Sequence, residues 1–125
     1  MDFLSAFSTA GTGMDAQARR LRVISENIAN VDTPGYRRKM LTFAEMLDEA
    51  GVAVGRMELD PSELPQVYDP SHPMADGEGY YLGSNVSLVV EIADAREAQR
   101  SYEANLKMFD QARSMSSQLL DLLKR

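Results

Sequence analysis

The sequence contains no cysteine, only one histidine, and no apolar run of the length needed to cross a membrane. The lack of cysteine excludes disulfide bonds, thiolate metal sites and cysteine nucleophiles. A spanning helix needs about 18–20 consecutive apolar residues, so we expect no direct insertion into a membrane. The first five residues also lack the basic start, apolar stretch and cleavage site of a secretory signal peptide. We therefore expect any export to use a route without a cleavable signal peptide.

Positive charge is scarce as well. The chain has 13 Lys and Arg residues against 19 Asp and Glu residues, which gives a formal net charge of −6. Proteins that bind nucleic acid normally carry a basic excess, so we expect no nucleic-acid partner. Residues 1–31 and 86–125 each contain equal numbers of acidic and basic side chains. The negative surplus therefore lies in residues 32–85.

Proline is absent from both ends of the chain. All five prolines fall between positions 34 and 73, so the flanking segments can run as long helices. The sequence predicts a mainly α protein in which two long terminal helices form a coiled-coil-like hairpin around a central segment of loops and short β-strands. The expected divisions are residues 1–31 for the N-terminal helix, 32–85 for the loop-rich segment and 86–125 for the C-terminal helix, both helices belonging to one axial coiled-coil domain.

Apolar residues recur every seven positions in both predicted helices, with the alternating spacing of three and four that is typical of a coiled-coil seam. The N-terminal helix also contains Gly11 and Gly13, which weaken a helix by about 1 kcal/mol each relative to alanine. That choice is reasonable where another backbone packs closely, although a kink explains it equally well. The predicted seam consists of Phe3, Phe7, Met14, Leu21, Ile24, Ile28, Leu88, Ile92, Tyr102, Leu106, Phe109, Leu120 and Leu123.

Neither helix can bury its seam alone, so the two must pair with each other, with neighbouring subunits, or with both. For a generic sequence, an ordinary intramolecular helix pair is the favoured interpretation. The unequal helix lengths and their positions at the two chain ends shift the balance here towards self-assembly.

The central segment contains several short β-compatible stretches. Residues 36–43, 57–59 and 66–68 have the composition of brief strands, and residues 69–73 and 76–79 have the composition of turns. Ser84 or Asn85 can cap the start of the C-terminal helix.

The polar residues show no sequence pattern typical of an active site. Asp69, Ser71 and His72 crowd into one turn, whereas a catalytic triad needs groups that converge from separate elements, so we interpret His72 as a turn residue. One histidine with scattered carboxylates is too little for a zinc site. We expect no catalytic residue, no metal site and no cofactor.

Two further groups of charged residues give only a weak indication of a binding function. The acidic residues of the middle segment lack the spacing of a calcium-binding loop, so a solvated acidic surface is the better interpretation. The basic run Arg37–Lys39 can contact a phosphate or an acidic partner but is too short to indicate nucleic acid. The acidic residues concerned are Glu45, Asp48, Glu49, Glu58, Asp60, Glu63, Asp69, Asp76 and Glu78.

Residues 25–36 carry a resemblance to a known family. The helix end N-I-A-N followed by the turn T-P-G-Y resembles the N-terminal motif shared by the axial proteins of bacterial flagella, the rod and hook subunits. Residues 69–76 and 100–106 resemble the central and C-terminal signatures of a proximal-rod subunit in that family. The uninterrupted 33–36 turn also resembles a second small rod subunit, which is the nearer alternative. The motif residues are Asn27, Ala29, Asn30, Thr33, Pro34, Gly35, Tyr36, Asp69, Pro70, His72 and Pro73.

The resemblance implies a structural subunit of the proximal rod of the flagellar basal body, not an enzyme. It implies export through the flagellar type III channel and a periplasm-spanning rod in which terminal helices line the channel and transmit torque. The implied partners are other copies of the chain, other rod proteins, the MS ring and export gate, and the distal rod. Two other readings stay open: a helical adaptor or export-chaperone binding module, which predicts a discrete complex instead of a polymer, and an enzyme, which lacks the polar convergence that catalysis needs.

Overall fold

The computed structural model describes residues 3–45 and 52–124. These residues form two long helices and, between them in the sequence, four short strands. Helix α1 spans Phe3–Ala29 and helix α2 spans Leu88–Leu123. The strands are β1 (Lys39–Glu45), β2 (Val52–Leu59), β3 (Gln66–Tyr68) and β4 (Tyr80–Leu82). The predicted fold class, two terminal helices around loops and short strands, is confirmed. Of the sequence candidates, Asp48, Glu49 and the side chain of Glu45 lie outside the described residues, as do positions 1, 2 and 125.

The two helices lie antiparallel to each other. The ring centroids of Phe7 and Phe109 are 4.9 Å apart near one end of the pair, and Asn27 contacts Glu91 at the other. With 27 and 36 residues, α1 and α2 measure about 40 and 54 Å at 1.5 Å per residue. The extra length of α2 extends past the start of α1, where Leu120 and Leu123 are exposed.

Small side chains line the contact between the helices. Ala10, Gly13 and Ala16 are buried on α1, and Ala98 and Ala112 are buried on α2. A Cβ atom added at Gly13 would lie 2.7 Å from the side-chain oxygen of Asn105. The close neighbour of Gly13 is therefore a side chain and not the backbone that we considered for the helical glycines, and Gly11 has no neighbouring atom within 4 Å of such a Cβ.

The strands form two antiparallel hairpins. In the first, Lys39 pairs with Leu59 and Phe43 pairs with Val54, with a bulge between Leu41 and Phe43. In the second, Gln66 pairs with Leu82. The strands predicted at 57–59 and 66–68 are present, and β2 extends five residues further towards the N-terminus than the sequence suggested.

Helix α2 begins later than its predicted cap residues. Its N-cap is Ser87, whose carbonyl accepts a bond from the backbone N–H of Glu91 at 3.0 Å. Ser84 and Asn85 have other partners: the Ser84 hydroxyl donates to the carbonyl of Val31, and the Asn85 side-chain oxygen accepts from the Arg38 backbone N–H at 2.6 Å. These bonds hold the residues just before α2 against the segment that follows α1.

Candidate functional site

The chain leaves α1 through a tight turn built from the N-I-A-N and T-P-G-Y motifs. The Asn30 side-chain amide donates to the carbonyl of Glu26 at 2.9 Å, and its oxygen accepts from the Thr33 hydroxyl at 3.0 Å. The Tyr36 N–H donates to the Thr33 carbonyl at 3.2 Å, which closes a four-residue β-turn. Pro34 and Gly35 occupy its centre, and the φ of +73° at Gly35 is the value that a type II turn requires there.

Asn27, the first asparagine of the motif, acts as an extra strand partner for β1. Its side-chain amide donates to the Lys39 carbonyl at 2.9 Å, and its oxygen accepts from the Lys39 N–H at 2.9 Å. The same oxygen accepts a bond from the Tyr36 hydroxyl at 2.9 Å. The side chain is almost completely buried, at 1% exposure. Asparagine suits this position because one short side chain supplies both a donor and an acceptor to the backbone.

Glu91 lies at the centre of the contact between the two helices and β1. It is fully buried. One carboxylate oxygen accepts from the guanidinium Nε of Arg38 and, at 3.4 Å, from the amide of Asn27. The other carboxylate oxygen is buried without a hydrogen-bond partner. We call Asn27, Arg38 and Glu91 the junction, because they join the end of α1, the start of β1 and the start of α2.

Arg38 connects the junction to further acidic groups. It donates to Asp94 at 3.0 Å and lies 3.7 Å from a carboxylate oxygen of Asp60. Burial lowers the pKa of Arg38, but its hydrogen bond to Glu91 and the charges of Glu91, Asp94 and Asp60 outweigh that effect and raise the pKa above its ordinary value. The guanidinium therefore stays charged and holds three carboxylates around it.

Two neighbouring groups have shifted pKa values for local reasons. Burial, followed by the negative charge of Glu26, raises the pKa of Tyr36, so its hydroxyl keeps the proton that it donates to Asn27. Hydrogen bonds from the backbone and side chain of Ser62, with the charge of Arg38, lower the pKa of Asp60. Both shifts favour the protonation states that the hydrogen bonds need.

The basic run 37–39 is engaged within the chain. Arg37 donates to the carbonyls of Asp60 and Ser62 at 3.2 and 3.1 Å. Lys39 pairs with Glu26, an interaction that raises the pKa of the lysine. The sequence suggested a contact with an acidic partner for this run, and the single chain supplies acidic groups and carbonyls of its own.

The central signature forms the loop between β3 and β4. Asp69 accepts from the Ser71 N–H and hydroxyl at 3.2 and 2.6 Å, and its own N–H donates to the Gly79 carbonyl at 2.9 Å. His72 accepts from the Met74 N–H at 3.0 Å, and its ring stacks on Tyr81 at 4.0 Å. These bonds shape the loop itself.

The remaining motif residues have less contact with the junction. Ala29, Pro70 and Pro73 are exposed. The loop that contains the central signature is connected to the motif turn through β4, because the Gly35 N–H donates to the Leu82 carbonyl at 3.0 Å. The structure therefore brings the N-terminal motif and β4 together but leaves His72 in its own turn.

The predicted seam residues of α2 mostly lie on the outside of the chain. Leu88, Ile92, Tyr102 and Leu106, which we call the outer stripe, are 45, 48, 36 and 41% exposed. Phe109 is half-buried against Phe7. On α1, Phe3, Phe7, Met14 and Leu21 are half-buried, Ile24 is buried and Ile28 is exposed. An open groove of about 470 Å³ lies between the helices, and Leu21, Tyr102 and Leu106 contribute to its walls.

Sequence reasoning missed Glu91 and noted Arg38 only as part of the basic run 37–39. A signal for Glu91 was present on α2, since Glu91, Ala98, Asn105 and Ala112 recur every seven residues as a row of small or polar side chains. Over the described ranges 3–45 and 52–124, no group of three or more acidic or histidine side chains is placed to hold a metal ion. Neither helix in that part of the chain has an apolar stretch of membrane-spanning length.

Comparison with known proteins gives matches at both ends of the chain. A family model described as "Flagella basal body rod protein" matches residues 7–37, and one described as "Flagellar basal body rod FlgEFG protein C-terminal" matches residues 78–122. The first range contains Asn27 and the motif turn, and the second contains Glu91 and the outer stripe.

Individual relatives are similar over almost the whole chain. The flagellar basal-body rod protein FlgC of Agrobacterium fabrum is 45% identical over 136 aligned positions, which cover 99% of this chain and 98% of the relative. The FlgC proteins of Buchnera aphidicola and Salmonella typhimurium are 36% and 35% identical, each alignment covering 98% of both sequences.

Proposed function

The chain belongs to the FlgC family of flagellar basal-body rod proteins, and from this premise we propose that it builds the proximal part of the rod through contacts between its helices and those of other subunits. It is a structural subunit of the basal-body rod. The resemblance read from the N-I-A-N and T-P-G-Y motifs and from the central signature is confirmed. The relatives described above are named FlgC, and not FlgB, which is the second small rod subunit that the motif turn also resembles.

One observation supports the proposed use of the helices most strongly. The outer stripe leaves four large apolar side chains of α2 between 36 and 48% exposed, although the adjacent face of the same helix packs on α1. A row of apolar side chains at coiled-coil spacing favours burial against another helix. The leucines at the far end of α2, beyond the reach of α1, extend the same surface.

The proposed partners follow from the position of a proximal rod subunit. Other copies of the chain and other rod proteins contact the outer stripe and the predicted seam of α1. The MS ring and export gate lie below the subunit and the distal rod lies above it. The two hairpins contact adjacent subunits, and torque passes through many such non-covalent contacts while the helices line the channel.

The proposed route to this place is export through the flagellar type III apparatus, followed by folding in a rod that spans the periplasm. No catalytic role is proposed.

Electron microscopy of basal bodies tests the proposal. We expect a strain that lacks the gene to stop before a rod forms, and the wild-type gene to restore both rod and hook. An Ile92→Gln/Leu106→Gln chain should fail to restore them although it accumulates to the wild-type level, because polar side chains in the outer stripe remove apolar burial between subunits.

A matched control is available on the same helix. The Glu103→Gln/Lys107→Gln chain changes two exposed residues outside the outer stripe and should restore rods. Complete rods in the strain without the gene would contradict the proposal. The adaptor or chaperone reading would then take its place, with a discrete complex as its expected product.

A further inference from the structure

The packing of α2 presents an energetic puzzle. In the buried row of α2, Glu91, Ala98 and Ala112 are buried and Asn105 is half-buried, whereas the larger and more apolar outer stripe lies beside the contact with α1 and is 36–48% exposed. Apolar burial alone would favour the opposite arrangement. Successive residues of an α-helix are about 100° apart, so the outer stripe lies roughly 60–100° around the helix from the buried row. A modest rotation of α2 about its axis would therefore exchange the two faces.

We propose that Glu91 and Asn105 fix the rotation of α2 against α1 and so keep the outer stripe on the outside of the chain. The two residues act at separate points, 14 residues apart on the same row of α2. Their partners on α1, Asn27 and Gly13, are also 14 residues apart. The antiparallel helices are thus matched at two places in one register.

At the first place, rotation would remove the acid on which the junction depends. Arg38 is largely shielded from solvent, and its Nε donates to Glu91 while another nitrogen donates to Asp94. The buried amide of Asn27 also donates to Glu91. Turning α2 would leave these donors without their acceptor, and a buried unpaired donor is costly. A buried ion pair of this kind serves specificity of packing more than stability.

At the second place, shape fixes the rotation. Asn105 fits against Gly13 so closely that even a Cβ atom on the glycine would lie 2.7 Å from the asparagine oxygen. The Asn105 amide is held by a bond to the Ser101 carbonyl at 2.9 Å. A much larger residue from the outer stripe, such as Tyr102, cannot occupy this narrow space without separating the helices.

Thiol labelling of single-cysteine chains tests the inference, and the lack of native cysteine makes the probes unambiguous. Ala98→Cys places a probe in the buried row, and Leu106→Cys places one in the outer stripe. In the otherwise wild-type chain, we expect a maleimide to react at least tenfold more slowly at position 98 than at position 106. Labelling at two protein concentrations shows that the rates belong to the single chain.

The same probes are then compared in an Arg38→Leu/Glu91→Leu chain. Apolar side chains replace both charges, so no unpaired charge is buried. We expect the tenfold difference between the probes to disappear or reverse while the helical circular dichroism is retained. An unchanged difference would overturn the inference. An Arg20→Gln/Glu97→Gln chain removes the cross-helix contacts of Arg20 with Glu97 at 3.5 Å and with Asp94 at 3.7 Å. It leaves the Arg38–Glu91 pair in place and should keep the wild-type difference.

A second variant decides the matter if the first loses its helical signal. Asn105→Phe leaves the ionic junction intact and introduces an aromatic ring, which is much larger than the asparagine side chain and cannot fit against Gly13. We expect labelling at position 98 to accelerate several-fold with the helical signal kept, and labelling that stays as slow as in the wild-type chain would overturn the inference. Because these rates are read on the free chain, failure here is distinguishable from a failure of the rod function, which is read on basal bodies.

Discussion

At the scale of single residues, the chain depends on side chains that combine several hydrogen bonds in a small space. Asn27 offers its amide to the Lys39 carbonyl and to Glu91, and its oxygen to the Lys39 N–H and the Tyr36 hydroxyl. An aspartate of the same shape would lack the donors and would add a second negative charge beside Glu91. The role of this residue is to end α1 and to begin β1 in a fixed relation.

Replacement of Asn27 by alanine tests this role. We expect the Asn27→Ala chain to lose roughly 3 kcal/mol of unfolding free energy, because several buried backbone and side-chain groups lose their partner. The measurement is urea unfolding followed by helical circular dichroism. Asn30→Ala is the matched control: its bonds to Glu26 and Thr33 are exposed to solvent, so its loss should stay near or below about 1 kcal/mol. Equal losses for the two variants would contradict the role assigned to Asn27.

The same scale shows what the sequence could predict of the candidate site and what it could not. The motif identified Asn27, Asn30 and Tyr36 as residues of interest, because helix-ending and turn-forming residue types leave a local signal. Arg38 and Glu91 are separated by 53 positions along the chain. No spacing rule connects residues so far apart, so their pairing emerged only from the fold.

At the scale of the elements, the contact between α1 and α2 is made of small residues that allow the helices to approach closely. At Gly13 there is no room for a Cβ atom beside Asn105, whereas Gly11, two positions earlier, has open space where its Cβ would lie. The two glycines therefore lie close together in the sequence but differ in their surroundings. One accommodates a neighbouring side chain, and the other has no steric requirement in the single chain.

Alanine substitutions at the two glycines should have opposite effects. Gly11→Ala should stabilise the chain by about 1 kcal/mol, because alanine is the better helix former and its methyl group meets nothing. Gly13→Ala gains the same propensity but forces its methyl group against Asn105, so we expect a net destabilisation of about 1–2 kcal/mol. Urea unfolding of both chains under identical conditions provides the check. Stabilisation by both substitutions would show that the helices are not in close contact at Gly13.

The helices also show what the periodicity of apolar residues can predict and what it cannot. The seven-residue recurrence predicts that Leu88, Ile92, Tyr102 and Leu106 share one face of α2, because helical geometry alone decides which residues share a face. It could not show that this face stays partly exposed beside the contact with α1. That orientation depends on polar contacts with distant residues and on the space available beside Gly13.

At the scale of the whole molecule, the chain combines a buried polar junction with an exposed apolar surface. The junction ties together α1, β1 and α2, while the two hairpins are held by strand pairing and by the bonds of the motif turn. One face of α2 therefore packs on α1 within the subunit, whereas the outer stripe stays partly exposed in the single chain. The assignment of individual seam residues to particular neighbours in the rod stays a prediction.

The measurement that tests the central claim most directly is the thiol reactivity of a Leu106→Cys chain before and after assembly. We predict that the probe in purified basal bodies reacts at least tenfold more slowly than in the free chain, because the outer stripe becomes buried against other subunits. An Ala98→Cys chain, protected in both states, is the internal reference. A Leu106→Cys probe that reacts equally fast in basal bodies and in the free chain would contradict the claim that this stripe forms the contacts of the rod.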